Sequence, residues 1–395
     1  MTKKDPIVIV GAKRTPTGNF NGCFKDTSVI QLGAAAIHAT LKQSNFRTET
    51  VDEIIMGCVL PAGLGQAPAR QAALAAGIST KTGCTTINKM CGSGMKAIMQ
   101  AHDAIVAGSI SRAIAGGMEN MSRAPYLLPK ARFGYRFGHG QIIDHMMLDG
   151  LEDAYEKGRP MGYFAEECVK KYNFTREAQD DFARESQSRA QQAAKQGKFN
   201  DEISPVTIRT PKHEITIAED EGPQTVNPDK IPQLKPAFIP EGTITAANAS
   251  SISDGAAAVA LMRESQAIKN GSKPLAKIVG HYTHAQKPEL FTTAPIGAIN
   301  GLLKQLAWNI NDIDLFEINE AFAVVTMAAM KDLKIPHEKI NINGGACVLG
   351  HPIGASGARI LITLLYALQH HQLKRGIAAL CIGGGEATAI AIEMV

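Results

Sequence analysis

The chain has 395 residues, of which 45% are hydrophobic and 20% are charged, and its formal net charge is +4. This composition is typical of a globular protein, and the length suggests two or three domains. The charge is too small for the basic stripe of a nucleic-acid-binding protein, and one tryptophan among 5% aromatic residues leaves few base-stacking side chains. We therefore expect no nucleic acid among the partners, whereas a mildly basic surface suits an anionic small molecule.

The apolar segments and the cysteines bear on where the protein works. The apolar run at residues 7–10 is too short for the core of a signal peptide. The longest apolar run, residues 360–368, falls well short of the roughly 20 residues that span a bilayer. Seven cysteines without a Cys-x-x-Cys pair argue against a closed disulfide framework. We expect a soluble, cytoplasmic protein that does not bind membranes.

The sequence contains an internal repeat. Residues 33–55 and 297–317 share a helix-period stretch that leads into a short apolar strand. Further on, Ser93 and Ser356 each precede a glycine at the start of a predicted helix, which is followed by an Ala-rich strand that ends in glycines. Alternating strands and helices are typical of sheets covered by helices. The two halves are therefore predicted to be copies of one α/β unit.

The segment between the copies, residues 122–249, has a different character. It contains a predicted polar helix at residues 175–196, with Thr175 as its N-cap, and a proline-rich run at residues 223–240. That run cannot form a regular helix or a central strand. We interpret the segment as an inserted loop domain. The predicted domains are residues 1–121 together with 250–270, residues 122–249, and residues 271–395.

Cys91 is the first candidate catalytic residue. It follows a predicted strand at residues 85–87 and precedes a predicted amphipathic helix, so its sulfur should lie at a helix N-terminus. The helix dipole and free amide groups at that position favour a thiolate. Gly92 and Gly94 would let substrate and backbone approach closely. An inert buried cysteine in a strand–helix turn has the same local pattern, so this motif alone does not decide.

Three further motifs carry residues with useful chemistry. His351 lies before Pro352 in a loop with five glycines, residues 343–357, and is expected on extended backbone. That loop has neither of the glycine spacings of phosphate-binding loops. Cys381 and Asn319 each stand at the end of a predicted strand. We expect Cys91 and Cys381 to lie at related strand ends of the two copies, near a shared crevice. Because no Cys and His residues are closely spaced, we expect no metal site.

Together these four motifs resemble the thiolase family, and the resemblance runs from residues 8–16 to the terminal strand. Residues 116–122, 248–250 and 254–257 also resemble thiolase segments. The resemblance implies a five-layer αβαβα fold of two duplicated halves with an inserted loop domain. It also implies a homotetramer, as a dimer of dimers, or a dimer.

The resemblance further implies an acyltransferase that condenses two acetyl-CoA to acetoacetyl-CoA and coenzyme A, or runs the reverse thiolysis. His351 would activate Cys91, which would carry the acetyl group as a thioester, and Cys381 would move the proton of the attacking methyl group. His351 and a water fixed by Asn319 would hold the enolate oxygen, and the amides of Cys91 and Gly383 the acyl oxygen.

The coenzyme A contacts are also implied by the resemblance. Ser250 would lie near the pantetheine, and the apolar lining would comprise Leu151, Met161, Phe238, Ala321 and Phe322. Since coenzyme A thioesters are substrates, no tightly bound cofactor is expected. Two positions depart from the family's pattern: Pro160 stands where short-chain biosynthetic members have histidine, and Gln224 where some members have a phosphate-facing arginine.

Other functions remain open at this point. Within the family, a degradative 3-ketoacyl-CoA thiolase of fatty-acid β-oxidation would cleave longer chains. The related ketoacyl synthases pair their cysteine with histidines, whereas Cys381 favours the thiolase arrangement. A non-catalytic acyl-CoA or lipid-binding protein is disfavoured, because every reactive position is filled by a competent residue.

Overall fold

One large sheet organises the protein. The computed structural model describes residues 5–209, 214–225 and 227–395. In chain order the strands are β1 (Ile7–Arg14), β2 (Gly18–Asn19), β3 (Glu53–Gly57), β4 (Gly83–Ile87), β5 (Arg112–Asn120), β6 (Tyr126–Leu127), β7 (Ile143–Asp144), β8 (Val206–Arg209), β9 (Glu214–Ile217), β10 (Ser253–Arg263), β11 (Ala276–Ala285), β12 (Leu315–Ile318), β13 (Arg375–Ile382) and β14 (Glu386–Met394). The α-helices are α1 (Val29–Ser44), α2 (Pro68–Ala75), α3 (Ser93–Ala107), α4 (Met161–Tyr172), α5 (Arg176–Lys195), α6 (Gly222–Thr225), α7 (Glu264–Asn270), α8 (Ala294–Leu306), α9 (Ala323–Leu333), α10 (Ala346–Leu349) and α11 (Ser356–His370).

The strand order of this ten-stranded sheet confirms the two duplicated halves. The order is β12-β13-β14-β11-β1-β10-β5-β3-β4, with β2 paired to β10. In the N-terminal half, β3 runs parallel to β5, β5 antiparallel to β10, and β10 antiparallel to β1. In the C-terminal half, β12 runs parallel to β13, β13 antiparallel to β14, and β14 antiparallel to β11. The same series of pairings therefore lies on each side of the contact between β1 and β11.

The helices complete five layers. Helices α1 and α2 pack on the outer face of the N-terminal half, and α8 on the outer face of the C-terminal half. Helices α3 and α11 lie between the halves and contact each other. Successive side chains of a strand point to opposite faces, so Ile7 and Ile9 join the central core while Val8 and Val10 join the outer core. The predicted αβαβα fold is confirmed.

Burial explains two features of the sequence. The apolar run at residues 360–368 belongs to α11, which is buried almost throughout because it is covered on both sides. No helix among the described residues is long and apolar enough to cross a membrane. The polar helix predicted at residues 175–196 is α5, and the Oγ1 of its N-cap Thr175 accepts a hydrogen bond from the Ala178 amide at 3.1 Å.

The segment between the halves contains α4, α5 and two small ribbons, β6 with β7 and β8 with β9. Among its described residues, the stretch 122–249 contributes no strand to the large sheet. Helices α4 and α5 pack against α9 of the C-terminal half. The three domain ranges given above stay a prediction.

Candidate active site

Cys91 lies in a tight turn between β4 and α3. Met90 adopts a left-handed backbone conformation with φ of 47°, and its amide donates to Asn88 Oδ1 at 2.9 Å. The Ser93 hydroxyl donates to the Met90 carbonyl at 2.6 Å and accepts from the Lys89 amide at 2.8 Å. A left-handed residue other than glycine costs on the order of 1 kcal/mol, and these bonds hold it in place. The turn therefore presents Cys91 in a single orientation.

The same turn packs directly against the end of β13. A Cβ on Gly92 would overlap Ile382 Cδ1, so a larger residue here would require the end of the Ile382 side chain or the turn to shift. The Gly383 amide, one residue further on, lies close enough to the Cys91 sulfur to lower the pKa of the thiol. Because both contacts join the two halves of the molecule, they place Cys91 beside the cysteine at the end of β13.

Burial sets the protonation state of Cys91. It raises the pKa of the thiol to about 11, and the negative charge of Glu119 acts in the same direction. The amides of Gly383 and of Cys91 itself lower that pKa but do not outweigh burial. The expectation that a helix N-terminus would favour the thiolate is thus outweighed here. Cys91 needs a nearby base to become a nucleophile.

Cys381 is buried near the end of β13, opposite Ala387 of β14. Burial, followed by the neighbouring Cys91 sulfur, raises the pKa of Cys381 well above its usual range. The two sulfurs therefore sense each other's charge, and a thiolate on one disfavours a thiolate on the other. Beyond Cys381, Gly384 and Gly385 turn the chain with φ of 91° and 88°, which a residue with a side chain rarely adopts.

His351 lies in the loop between α10 and α11. Its Nδ1 is 2.6 Å from Ser356 Oγ, and the Ser356 hydroxyl donates to the Pro352 carbonyl at 2.9 Å. Because that hydroxyl has one hydrogen, its bond to the Pro352 carbonyl favours the tautomer in which Nδ1 carries the imidazole proton and donates to Ser356, and the longer Asn319 contact is then no hydrogen bond. Nε2 is then the unprotonated nitrogen, and it is buried without a hydrogen-bond partner among the described residues.

The imidazole is neutral in this environment. Burial, followed by the positive charge of Arg359, lowers the pKa of His351 to about 3. A neutral ring with a free Nε2 lone pair can accept a proton from a thiol. A neutral ring with its proton on Nδ1 is the state that the predicted activating base requires, and the role of His351 stays a prediction.

Asn319 and Arg359 lie next to the histidine. The Asn319 Nδ2 lies 3.4 Å from His351 Nδ1, and its Oδ1 accepts from Arg359 Nη2 at 3.4 Å. Arg359 Nη1 lies 3.7 Å from a Glu317 carboxylate oxygen, and all of these side chains are buried. Sequence reasoning did not identify Arg359. The available signal was a single arginine within the otherwise apolar stretch of α11.

Glu119 was also missed by sequence reasoning. Its buried carboxylate accepts hydrogen bonds from the amides of Val59, Leu60 and Gly354 at 2.9, 3.2 and 3.0 Å. Burial raises the pKa of Glu119 to about 7. Gly354 follows His351 by three residues, so this carboxylate ties the histidine loop to the end of β3. The feature of the sequence that could have identified Glu119 was a single acidic residue in the apolar strand β5.

The predicted apolar lining gathers around the two cysteines. Cys381 belongs to one apolar cluster with four of the predicted residues, Met161, Phe238, Ala321 and Phe322. Leu151 packs with Cys91 in a second cluster. Ser250 lies beside this region, because its amide donates to the Ala321 carbonyl at 3.0 Å. The structure brings these residues together, and their contacts with coenzyme A stay a prediction.

One geometric expectation was wrong. Cys91 and Cys381 are not at equivalent positions of the two copies: Cys91 precedes α3, whereas Cys381 lies in β13, the counterpart of β5. The equivalent of the Cys91 turn is the His351 loop, since each precedes a central helix. A Cβ on Gly94 would lie 3.0 Å from the Ala358 amide, and one on Gly357 would lie 2.5 Å from the Met95 amide. These glycines bring the N-termini of α3 and α11 together.

Comparisons with known proteins identify the family of this chain. The family models described as the N-terminal and C-terminal domains of thiolase match residues 7–265 and 272–394. A probable acetyl-CoA acetyltransferase of Dictyostelium discoideum is 50% identical over 98% of this chain and 94% of its own length. The crystal structure of the Bacillus anthracis acetyl-CoA acetyltransferase has a TM-score of 0.97 at 39% identity, over 100% of both chains.

A crystal structure of a thiolase from Ascaris suum in complex with coenzyme A has a TM-score of 0.93 at 42% identity, over 99% of this chain and 100% of its own. The matches span both duplicated halves, and they include the segments that hold Cys91, His351 and Cys381. The chain belongs to the thiolase family.

Proposed function

We propose that the protein is an acetyl-CoA C-acetyltransferase, which reversibly condenses two acetyl-CoA to acetoacetyl-CoA and coenzyme A. The observation that carries this proposal is a neutral imidazole with a free, buried Nε2, in a site where two cysteine sulfurs interact. The relatives named acetyl-CoA acetyltransferase support acetyl as the transferred group.

In the first half-reaction His351 Nε2 takes the proton of Cys91, and the thiolate attacks the carbonyl carbon of acetyl-CoA. The bond between that carbon and the coenzyme A sulfur breaks, which leaves S-acetyl-Cys91. The departing sulfur needs a proton, and Cys381 is the neighbouring group that can supply one. The products are coenzyme A, an imidazolium at His351 and a thiolate at Cys381.

In the second half-reaction the Cys381 thiolate removes a proton from the methyl group of a second acetyl-CoA. The carbanion attacks the carbonyl of S-acetyl-Cys91, a carbon–carbon bond forms, and the bond to Cys91 breaks. His351 returns its proton to the Cys91 sulfur. Each group ends in its starting state, so the proton balance closes without an additional acid or base.

Two sets of donors support the charge that develops on oxygen. The imidazolium Nε2–H and a water held by Asn319 would stabilise the enolate oxygen, and the amides of Cys91 and Gly383 the oxygen of the acyl-cysteine. The Gly383 amide already lies close enough to the Cys91 sulfur to lower its pKa. Loss of one such donor typically costs about a hundredfold or more in rate.

The apolar residues around the sulfurs suit the arm of a thioester substrate. We assign Ser250 to the pantetheine and Leu151, Met161, Phe238, Ala321 and Phe322 to the apolar wall. The Phe238 and Phe322 rings meet edge to face at 5.8 Å, and a Cβ on Gly162 would overlap the Phe238 ring. A wall packed this closely favours a short acyl group. Coenzyme A thioesters act as substrates, and the reaction needs no tightly bound cofactor.

The assembly we propose is a homotetramer, a dimer of dimers, in the cytoplasm. Exposed apolar side chains are concentrated in residues 126–142, where Phe133 is 86% exposed. Patches of this kind mark interaction surfaces. The seven cysteines are all free, which supports a reducing compartment.

The deciding experiment is incubation with acetyl-CoA followed by peptide mass analysis. We expect a mass increase of one acetyl group on the peptide that contains Cys91, and no increase in Cys91→Ala. Cys84→Ala, which changes a cysteine of β4 outside the site, is the matched control and should still be acetylated. An unmodified Cys91 peptide in the active preparation would contradict the proposal, and failure of any thioester to react would leave a binding protein.

Within the family, the second candidate is a degradative 3-ketoacyl-CoA thiolase of fatty-acid β-oxidation. Pro160, where short-chain biosynthetic members carry histidine, is the observation that favours it. Thiolysis rates on acetoacetyl-CoA and on a series of longer 3-ketoacyl-CoA substrates separate the two. A higher kcat/KM on the longer chains would assign the degradative role.

A further inference from the structure

A second cluster of ligating side chains lies away from the cysteines, on the surface of the molecule. His102 and Asp103 are consecutive residues of α3, and His281 is on β11. His102 Nδ1 lies 3.0 Å from Asp103 Oδ1, and His281 Nε2 lies 2.8 Å from the same oxygen. Two imidazole nitrogens from different parts of the fold thus converge on one carboxylate oxygen.

The three ligand atoms are spaced as a small ion requires. One nitrogen of each histidine and one oxygen of Asp103 all lie within 4.8 Å of one another. A tetrahedral Zn²⁺ with bonds of about 2.0 to 2.1 Å holds neighbouring ligand atoms about 3.3 Å apart. The two shorter separations therefore have to open by only a few tenths of an ångström. The imidazole planes are perpendicular, with centroids 5.1 Å apart, so neither ring blocks the other.

The surroundings leave both charge and space for a cation. Among the described residues, the ion-pair partners of Asp103 are these two imidazoles and no lysine or arginine. The histidine side chains are 16% and 17% exposed, whereas that of Asp103 is 58% exposed. The ring nitrogens are thus held by their surroundings, and the carboxylate side is open to water that could complete the coordination.

We propose that His102, Asp103 and His281 form a binding site for a divalent transition metal, with Zn²⁺ as the ion that best suits two imidazoles and one carboxylate. Mg²⁺ and Ca²⁺ prefer oxygen ligands and should bind poorly. Nothing in the sequence indicated this site, because its ligands are not closely spaced along the chain: His281 lies 178 positions from Asp103.

Metal binding here would join two halves of the fold. Helix α3 begins directly after the Cys91 turn and packs on the N-terminal sheet, whereas β11 belongs to the C-terminal half. An ion held by both elements stabilises the folded state, because the unfolded chain cannot bring His281 to the other two ligands. The site is thus structural, and it does not depend on the proposed catalytic activity.

The test uses full-length, chelator-treated protein and titration with Zn²⁺. We expect one ion bound per chain at this site and a melting temperature that rises by a few degrees with added Zn²⁺ and not with Mg²⁺. His281→Gln and Asp103→Asn should each weaken binding at least tenfold, since loss of even an outer partner of a metal ligand costs about ten- to hundredfold. His284→Gln, on the same strand, is the matched control and should bind normally.

Co²⁺ separates this site from the cysteines. Bound by two imidazoles and a carboxylate, it should give visible absorption without thiolate-to-cobalt charge transfer. Any one of three results would overturn the proposal: a thiolate-to-cobalt charge-transfer band, metal binding that is unchanged in both variants, or no metal binding by the unaltered protein. A further outcome would show that the cluster is only a hydrogen-bonded contact: the variants are less stable than the unaltered protein without metal, and Zn²⁺ does not change the melting temperature of the unaltered protein.

Discussion

Ser356 Oγ lies 2.6 Å from His351 Nδ1, and this contact favours Nε2 as the nitrogen of the histidine that is free to act as a base. The Ser356 hydroxyl is committed to the Pro352 carbonyl, so its oxygen is available only as an acceptor for the imidazole N–H. Ser356 is therefore a positioning residue, which acts on the substrate through His351.

Ser356→Ala removes that acceptor and lets the proton move to Nε2, where it blocks the base. We expect kcat to fall by about tenfold or more, because general base catalysis contributes roughly a hundredfold or more. Ser356→Thr keeps the hydroxyl and should recover most of the activity. Steady-state rates and the rate of Cys91 alkylation over a pH series are the measurements. Equal losses in both variants would indicate a packing defect instead.

Arg359 should control the basicity of the same histidine. Its positive charge lowers the pKa of His351, so removing that charge should raise the pKa. Because Arg359→Met alone would leave the Glu317 carboxylate buried without a partner, the informative variant is Glu317→Gln with Arg359→Met. The acid limb of Cys91 alkylation should move to higher pH in this double variant. It should not move in Arg375→Met, which breaks a half-buried pair between the start of β13 and Glu393 near the end of β14.

Glu119 should make stability depend on pH. Its folded-state pKa is raised from 4.5 to about 7, so the folded protein binds this proton more tightly than the unfolded chain. The stabilisation is fully present below pH 4.5 and is lost as the pH rises through about 7. The shift corresponds to about 3 kcal/mol of unfolding free energy. Denaturant unfolding from pH 4 to 8 should show this decline in the unaltered protein and a smaller one in Glu119→Gln; parallel curves would refute the assignment.

Cys381→Ser should separate the two half-reactions. A serine hydroxyl is a far weaker acid than a thiol, so it does not form the anion that is needed to remove the methyl proton. We expect acetylation of Cys91 to persist, because coenzyme A can also leave as a thiolate and take its proton from water, while condensation falls by about a hundredfold or more. Single-turnover acetylation and the rate of acetoacetyl-CoA formation should be measured on the same sample. Unimpaired condensation would remove Cys381 from the mechanism.

The residues that the sequence identified and those it missed differ in how their contacts are made. The repeat predicted both halves of the sheet, because each copy is a local strand–helix pattern. Cys91 and His351 stand in glycine-rich turns, and Cys381 stands at the end of a strand just before one, so that each motif is visible in the sequence. Glu119 contacts Gly354 across 235 positions, and nothing in the chain near either residue indicates that contact.

The chemistry of individual groups was less predictable than their positions. A helix N-terminus predicts a thiolate at Cys91, yet burial, which depends on how both halves pack, outweighs it. Similarly, the pairing of His102 and Asp103 with His281 follows from the packing of α3 against the C-terminal half. Local patterns therefore predicted which elements form, whereas the protonation states and long-range clusters required the assembled fold.

Gly92 provides a direct test of how closely the two cysteines must approach. A Cβ at this position would overlap Ile382 Cδ1 and push the Cys91 turn away from Gly383 and Cys381. We expect Gly92→Ala to lower kcat by about a hundredfold, the scale of losing an aligned donor or a correctly placed reactant. Ile382→Val removes Cδ1 and should be nearly silent alone, but should restore part of the activity in combination. Because the two positions touch, their effects should not add, and strictly additive losses would show that the turn tolerates the extra methyl group in another way.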